Sequence, residues 1–252
     1  MGALHHGHAT LIRQARRIAG KNGTVVVSIF VNPTQFGPKE DFSAYPRPLR
    51  RDLQTCRNAG ADAVFLPGVN EMYPADASVS VDEKFLTSAL CGRSRPGHFS
   101  GVCTVVAKLF HIVAPTHALF GEKDWQQLAI IRRMVRDLDF DLQVVPCPTV
   151  READGLAASS RNAYLTEEER RLAPEIYASL QAASEKPTPA KVVAEATKRL
   201  TKIPGARIDY IEAVDATTLQ PLRNRRTEGR LAAAVFLGKA RLIDNIALPV
   251  IA

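Results

Sequence analysis

Helical and strand spacings alternate along the first 150 residues. Leu11, Ile12, Ala15, Ile18 and Ala19 recur at helical intervals until Asn22-Gly23 breaks the pattern, which predicts a helix over residues 8–19. Residues 24–31 form a β-branched run without polar alternation, the pattern of a parallel strand covered on both faces. Leu49, Leu53 and Cys56 predict a helix closed by Gly60, and a short strand over 63–66 ends at Pro67-Gly68. A helix over 101–113 stops before Pro115. It is followed by a strand at 118–120, a helix over 125–138 and a strand at 142–145. This alternation predicts an α/β fold with a parallel sheet.

Beyond residue 150 the pattern changes. Helical spacing covers 167–183 and 190–200, on either side of the linker-like Lys186-Pro-Thr-Pro189. Strands follow at 208–214, 231–237 and 241–248, the last two joined by a hairpin step at Gly238-Lys239. We therefore expect a domain over residues 1–149 and a smaller α+β domain over 150–252. Apolar residues are 46% of the 252 and charged residues 23%, ordinary values that exclude fibrous and low-complexity chains. The longest apolar runs fall short of the ~20 residues needed to cross a bilayer, and the first twenty residues lack the order of a signal peptide. Cys56, Cys91, Cys103 and Cys147 stand far apart with no CxxC pair, which fits free thiols in a reducing cytoplasm. The net charge of +7 is spread over both halves and suits nucleic acid or an anionic metabolite equally.

Five segments carry candidate chemistry. His5, Gly7 and His8 open the first helix, where free backbone N–H groups and the helix dipole favour phosphate; a solvated terminus or a tag remnant has the same composition. Gly121-Glu-Lys-Asp-Trp-Gln-Gln-Leu128 begins at the carboxyl end of a strand, where open α/β sheets bind ligands. There Lys123 can neutralise phosphate oxygens, Asp124 can cap the next helix or hold a ribose hydroxyl, and Gln127 lies one turn in. Ser159, Ser160 and Arg161 follow a Gly-containing loop and can grip a triphosphate, or merely cap a helix. Asn32 and Gln35 stand just past a buried strand, able to hydrogen-bond a small carboxylate or hydroxyl. Arg93, Arg95 and His98 share a loop.

Taken in order, the blocks HxGH, SIFVNPTQFGPKEDFSAYPR, RPGHFSGVCTVV, FGEKDWQQL, PTVREADGLAASSRNAYL and RLIDNIAL resemble the pantoate:beta-alanine ligase (pantothenate synthetase) family across essentially the whole chain. The resemblance implies a nucleotidyltransferase with a HIGH-type motif and a mobile KMSKS-like loop. It also implies a Rossmann-type domain with a smaller C-terminal lid domain, usually in a cytoplasmic homodimer. The implied reaction activates pantoate with ATP, accompanied by Mg2+, to pantoyl adenylate and pyrophosphate; beta-alanine then displaces AMP to give pantothenate. By motif, Met1, Gly2, His5, Gly7, His8, Gly121, Lys123, Asp124, Val150, Ala158, Ser159, Ser160 and Arg161 would frame ATP, with His8 a proton donor to the leaving group. Gln35 and Gln127 would hold pantoate, with Asn32, Tyr45, Arg95 and His98 at the rim. Metal ligands are not identified.

The chain departs from the family pattern in four ways. The strand and Pro-Thr pair that precede the position of Met1 in relatives are absent, which predicts a sheet without its central strand, whether the chain starts downstream of its true start or tolerates the loss. His6 replaces an acid, Ala158 stands where Met is usual, and Arg50 and Arg51 occupy a stretch that is often acidic. Other readings are an impaired nucleotide-binding relative and another nucleotidyltransferase of the same motif. No membrane or nucleic-acid partner is expected, the basic run Arg223, Arg225, Arg226 and Arg230 reading as a solvated face.

Overall fold

The computed structural model describes residues 2–38 and 40–251; Met1, Lys39 and Ala252 lie outside the described residues. Helix α1 (His6–Ala19) buries Gly7, Ala9 and Ile12. Strand β1 (Val26–Ser28) follows, then a 3-10 turn (Pro33–Gln35), α2 (Leu49–Ala59) and β2 (Ala63–Phe65). Gly60 ends α2 in the left-handed region at φ 93°, as a helix C-cap glycine does. Arg16 of α1 reaches across to the Gly60 carbonyl at 3.1 Å and pairs with Asp62, fastening α1 to the turn that leads into β2.

Two short helices, α3 (Val69–Met72) and α4 (Leu90–Ser94), precede α5 (His98–Val113). Helix α5 is buried along much of its length and stops where Ala114 turns left-handed before Pro115. Strand β3 (His117–Gly121) then feeds a 3-10 turn (Glu122–Asp124) and α6 (Trp125–Asp137), and β4 (Gln143–Cys147) closes this part of the chain.

Strands β1 and β2 pair in parallel, as do β3 and β4, so the expected parallel α/β architecture is present. The two ribbons share no ladder among the described residues. The strand expected over 24–31 is shorter than its apolar run. Only Val26–Ser28 finds a ladder partner, while Val25 and Ile29 are buried beyond its ends.

In the C-terminal part, the single helix expected over 167–183 is two: α7 (Glu167–Leu172) and α8 (Pro174–Ser184). Pro174 has no N–H to continue the α7 ladder and sits where it fits best, at the first position of the next helix. Helix α9 (Pro189–Leu200) is capped by Thr188 and begins on Pro189 in the same way. Strands β5 (Ala206–Asp215), β6 (Gly229–Leu237) and β7 (Ala240–Leu248) form an antiparallel sheet, with the expected two-residue turn at Gly238 and Lys239.

This sheet lies between two cores. One face packs with Ile176, Leu180, Val192 and Leu200 of the C-terminal helices. The other sends Tyr210, Val214, Ala232 and Ala234 into the core of α5 and α6. The C-terminal sheet is thereby seated directly behind the loops that follow β3 and β4. Among the described residues, no helix is long and apolar enough to cross a membrane.

Candidate active site

The loop before α1 is shaped by reciprocal bonds between its own imidazoles and backbone. His5 is the N-cap; its Nδ1 accepts the Gly7 N–H at 3.2 Å, and its own N–H donates to His8 Nδ1 at 3.3 Å. Both rings therefore carry their proton on Nε2 when neutral, and they lie 4.0 Å apart centroid to centroid. Asp52, a buried residue of α2, holds this loop from behind, accepting the N–H groups of Ala3 at 2.9 Å and Leu4 at 2.7 Å. Sequence reasoning missed Asp52, because an acid in the first turn of a helix reads as an ordinary partner of the helix dipole.

Gly7 is where two motifs meet. A Cβ there would stand 2.9 Å from the His5 ring and 3.3 Å from the Ala158 methyl, so the Ala158–Ser159 loop lies against the start of α1. Lys123 belongs to the same cluster. Burial comes first in lowering His5 to about 4, and the Lys123 charge adds to it; burial, then His5 and Lys123, lower His8 to about 3. Both imidazoles are neutral at pH 7. Lys123 also lines a cavity with Leu156, Ala157, Ser159, Asn162 and Asp244, and its ammonium is 3.9 Å from the Asp124 carboxylate. Asp124 makes no side-chain cap for α6. Gly121 ends β3, and the Val150 carbonyl accepts the Ala158 N–H at 2.9 Å, which folds the serine loop back over the β4 end.

The serine loop is tied to the segment after the Pro33–Gln35 turn. Ser159 caps its own 3-10 turn by accepting the Arg161 N–H at 3.2 Å. Ser160 Oγ is 2.9 Å from the Tyr45 hydroxyl, and Arg161 donates to Asp41 at 3.1 Å. Phe36, Phe42 and Tyr45 pack edge to face beneath these contacts.

Asn32 was expected at a pocket rim; it is instead 3% exposed and fully bonded. Its amide donates to Gln35 Oε1 at 3.2 Å and to the Gly101 carbonyl at 3.0 Å, while its oxygen accepts from Tyr73 at 2.8 Å and Thr34 at 3.0 Å. The consequence falls on Gln35, whose oxygen is taken and whose NH2 is left without a partner among the described residues. Tyr73 was not visible as a contributor, since its partner is 41 positions away in sequence. Arg95 is held bidentately by Glu40 at 2.6 and 2.5 Å and touches His98 at 3.1 Å; His98 Nδ1 is 2.8 Å from the Gln35 carbonyl. Burial, followed by the Arg95 charge, lowers His98 to about 4. The Gln127 side chain, one turn into α6, has no hydrogen-bond partner among the described residues and keeps its amide available.

The structure thus brings together His5, Gly7, His8, Lys123, Ala158 and Ser159, and links them through Ser160 and Arg161 to the segment carrying Gln35, Tyr45, Arg95 and His98. Gly2 is buried beside Val31, and Met1 lies outside the described residues. The basic run does not form one surface. Arg225 is buried and donates to the carbonyls of Ser184, Lys186 and Pro249, and Arg230 stacks 3.5 Å over Trp125. The solvated basic face expected there is therefore corrected: two of its four arginines are structural. Among the described residues, no group of three or more His, Cys, Asp or Glu is placed to hold a metal ion.

The three neutral imidazoles make stability depend on pH with a definite sign. Their folded values lie near 3 to 4, below the ordinary 6.5 that they regain on unfolding. Between these limits the unfolded chain binds more protons, so stability declines as pH falls from about 6.5 toward about 4. Thermal melts across that interval should show a falling midpoint, with a shallower slope for His98→Gln; a midpoint that holds or rises contradicts the neutral cluster.

The chain is similar to known proteins over nearly its whole length. The model of the family described as pantoate-beta-alanine ligase matches residues 1–247. The pantothenate synthetase of Akkermansia muciniphila is 54% identical over 252 residues, covering 98% of this chain and 90% of the relative. That of Moorella thermoacetica is 53% identical, covering 99% and 89%. The crystal structure of pantothenate synthetase from Thermus thermophilus superimposes with a TM-score of 0.92 at 48% identity, covering 99% of this chain and 91% of that one. The Francisella tularensis pantoate-beta-alanine ligase, whose structure is described as complexed with beta-gamma ATP and beta-alanine, gives a TM-score of 0.80 at 37% identity, covering 98% and 86%.

Proposed function

Because this chain belongs to the pantoate-beta-alanine ligase family, we infer that the cleft bounded by His5, His8, Lys123 and Ser159 is where it joins pantoate to beta-alanine at the expense of ATP. The reaction has two parts. A pantoate carboxylate oxygen attacks the α-phosphorus, and the bond to pyrophosphate breaks. The beta-alanine amine then attacks the activated acyl carbon, loses a proton and expels AMP, leaving pantothenate. Every bond made or broken lies between substrates, so the chain contributes positioning and charge stabilisation rather than a covalent nucleophile.

The observation that carries this reading is the convergence at Gly7, where the His5 ring and Ala158 would both crowd a single added methyl. In this reading the Nε2–H groups of His5 and His8, the N-terminus of α1 and the Lys123 ammonium face the phosphates, where pentavalent charge develops. With its value near 3, His8 acts as a neutral hydrogen-bond donor to the departing pyrophosphate. Ser159, Ser160 and Arg161 close over the nucleotide; for Arg161 this means exchanging Asp41 for phosphate. Gly121, Asp124 and Val150 border the nucleoside. The free NH2 of Gln35 and the amide of Gln127 take the carboxylate and hydroxyl oxygens of pantoate, with Tyr45, Arg95 and His98 walling the adjacent space and Asn32 orienting Gln35.

Mg2+ enters this reading with ATP. The described residues provide no three-ligand cage, in keeping with an ion carried largely by phosphate oxygens and water. The two-domain division near residue 150 and a cytoplasmic homodimer complete the proposal; four buried, free cysteines suit a reducing compartment. The test is AMP release measured with ATP, pantoate and beta-alanine together and with each omitted in turn. AMP formation should require all three, and AMP no faster than in an enzyme-free control contradicts the assignment.

A further inference from the structure

The turn that presents Lys123 makes its closest polar contacts with the C-terminal sheet. Asn245, 5% exposed on β7, donates one amide hydrogen to the Glu122 carbonyl at 2.9 Å and the other to the Lys123 carbonyl at 3.0 Å. Its oxygen accepts from Arg230 at 3.3 Å. Arg230 in turn stacks on Trp125 and reaches the Glu122 carboxylate at 3.5 Å. Trp125 donates its indole N–H to the Ala216 carbonyl at 3.0 Å, a second tie between the same two parts of the chain. Both donors of Asn245 are thus spent on the two carbonyls that set the direction of the Lys123 backbone, and its acceptor is spent on the arginine that braces the same turn.

The preceding residue serves the other loop of the cleft. Asp244, also 5% exposed, takes Arg151 bidentately at 2.6 and 2.8 Å. The Arg151 guanidinium lies 3.4 Å over the Tyr177 ring and donates to the Gly155 carbonyl at 3.1 Å. Successive strand residues face opposite sides, so one dipeptide of β7 holds both Lys123 and the loop leading into Ser159.

We propose that Asn245 is a positioning residue for adenylation, acting through Lys123. A lysine side chain has four rotatable bonds and no preferred direction of its own, so the site of its ammonium depends on a fixed backbone. Asn245 supplies that fixity through the Glu122 and Lys123 carbonyls alone, and its effect is confined to the half-reaction in which phosphorus is attacked. The inference rests on the placement of Lys123 at the ATP phosphates.

The experiment is a double-substitution cycle on the full chain. Pantoate-dependent exchange of pyrophosphate into ATP reads adenylation, and release of AMP from synthetic pantoyl adenylate by beta-alanine reads the second half. Asn245→Ala should lower exchange by about 10- to 100-fold, the scale of a displaced reacting group, while leaving aminolysis near the wild-type rate. In a Lys123→Ala background the same substitution should change exchange by no more than about twofold, because coupled residues are non-additive. Asn245→Ser, which keeps one donor, should fall between and serves if the alanine variant does not fold. Equal losses in both half-reactions, or full additivity with Lys123→Ala, overturn the proposal. Wild-type exchange in Lys123→Ala alone would instead overturn the placement of Lys123 itself.

Discussion

Replacing Lys123 with alanine should slow pantoyl adenylate formation by about 100-fold or more, the loss expected when one preorganised charge is removed from a transition state that accumulates charge on phosphorus. Lys123 is largely shielded, with a side-chain exposure of 19%, and its only ion-pair partner among the described residues is Asp124 at 3.9 Å. The cation is therefore available to a phosphate rather than committed within the protein. His8→Ala should produce a loss of similar size for a different reason. Its Nδ1 receives the His5 N–H, so truncation removes both an Nε2 donor and the support that orients His5. Pyrophosphate exchange and single-turnover AMP release measure both effects. Near-normal rates in both variants would show that the cleft is not the phosphate site.

Gly101→Ala should cost about 100-fold in kcat/KM for pantoate, with ATP binding retained. Gly101 lies on α5 where the helix presses on the Pro33–Gln35 turn. An added Cβ would stand 2.5 Å from the Thr34 carbonyl oxygen, 2.6 Å from its carbon and 2.7 Å from the Gln35 nitrogen. These are backbone atoms, which cannot swing aside as a side chain can, so the turn itself must move. The Gly101 carbonyl also accepts from Asn32, and Asn32 orients Gln35. The displacement is thereby passed to the group assigned to pantoate, and misplacement on this scale carries a penalty of that order. Overpacking should also lower stability by about 1–3 kcal/mol, readable as a urea midpoint. Calorimetry with ATP alone separates the two effects, and an unchanged kcat/KM for pantoate would remove Gln35 from the pocket.

Local patterns in the sequence reveal those parts of the fold that are governed by local physics. The helix at 125–138 and the strands at 118–120 and 142–145 are legible from spacing, because burial on one or both faces is written into each segment. The true lengths of the strand at 24–31 and the helix at 167–183 are not. The first depends on where a partner strand lies, and the second on Pro174 starting a helix rather than merely interrupting one. The site divides in the same way. The convergence of His5, His8, Lys123 and the serine loop was legible because they occupy strand ends and helix starts, the positions where α/β sheets commonly bind anions. Asp52, Tyr73 and Asn245 were not, since their partners are 48 to 49, 41, and 122 to 123 residues away. Arg225 shows the converse error: an arginine within a basic run looks solvated until the carbonyls that enclose it are known.

The most direct measurement of the central claim follows oxygen rather than rate. Pantoate labelled with 18O in both carboxylate positions is turned over with ATP and beta-alanine, and AMP and pantothenate are analysed by mass. Attack of the carboxylate on the α-phosphorus leaves the bridging oxygen with AMP when the amine displaces it. AMP should then carry one labelled oxygen and the new amide the other. Unlabelled AMP, with the label in pyrophosphate or inorganic phosphate, would contradict activation at the α-phosphorus and with it the roles assigned to His8 and Lys123.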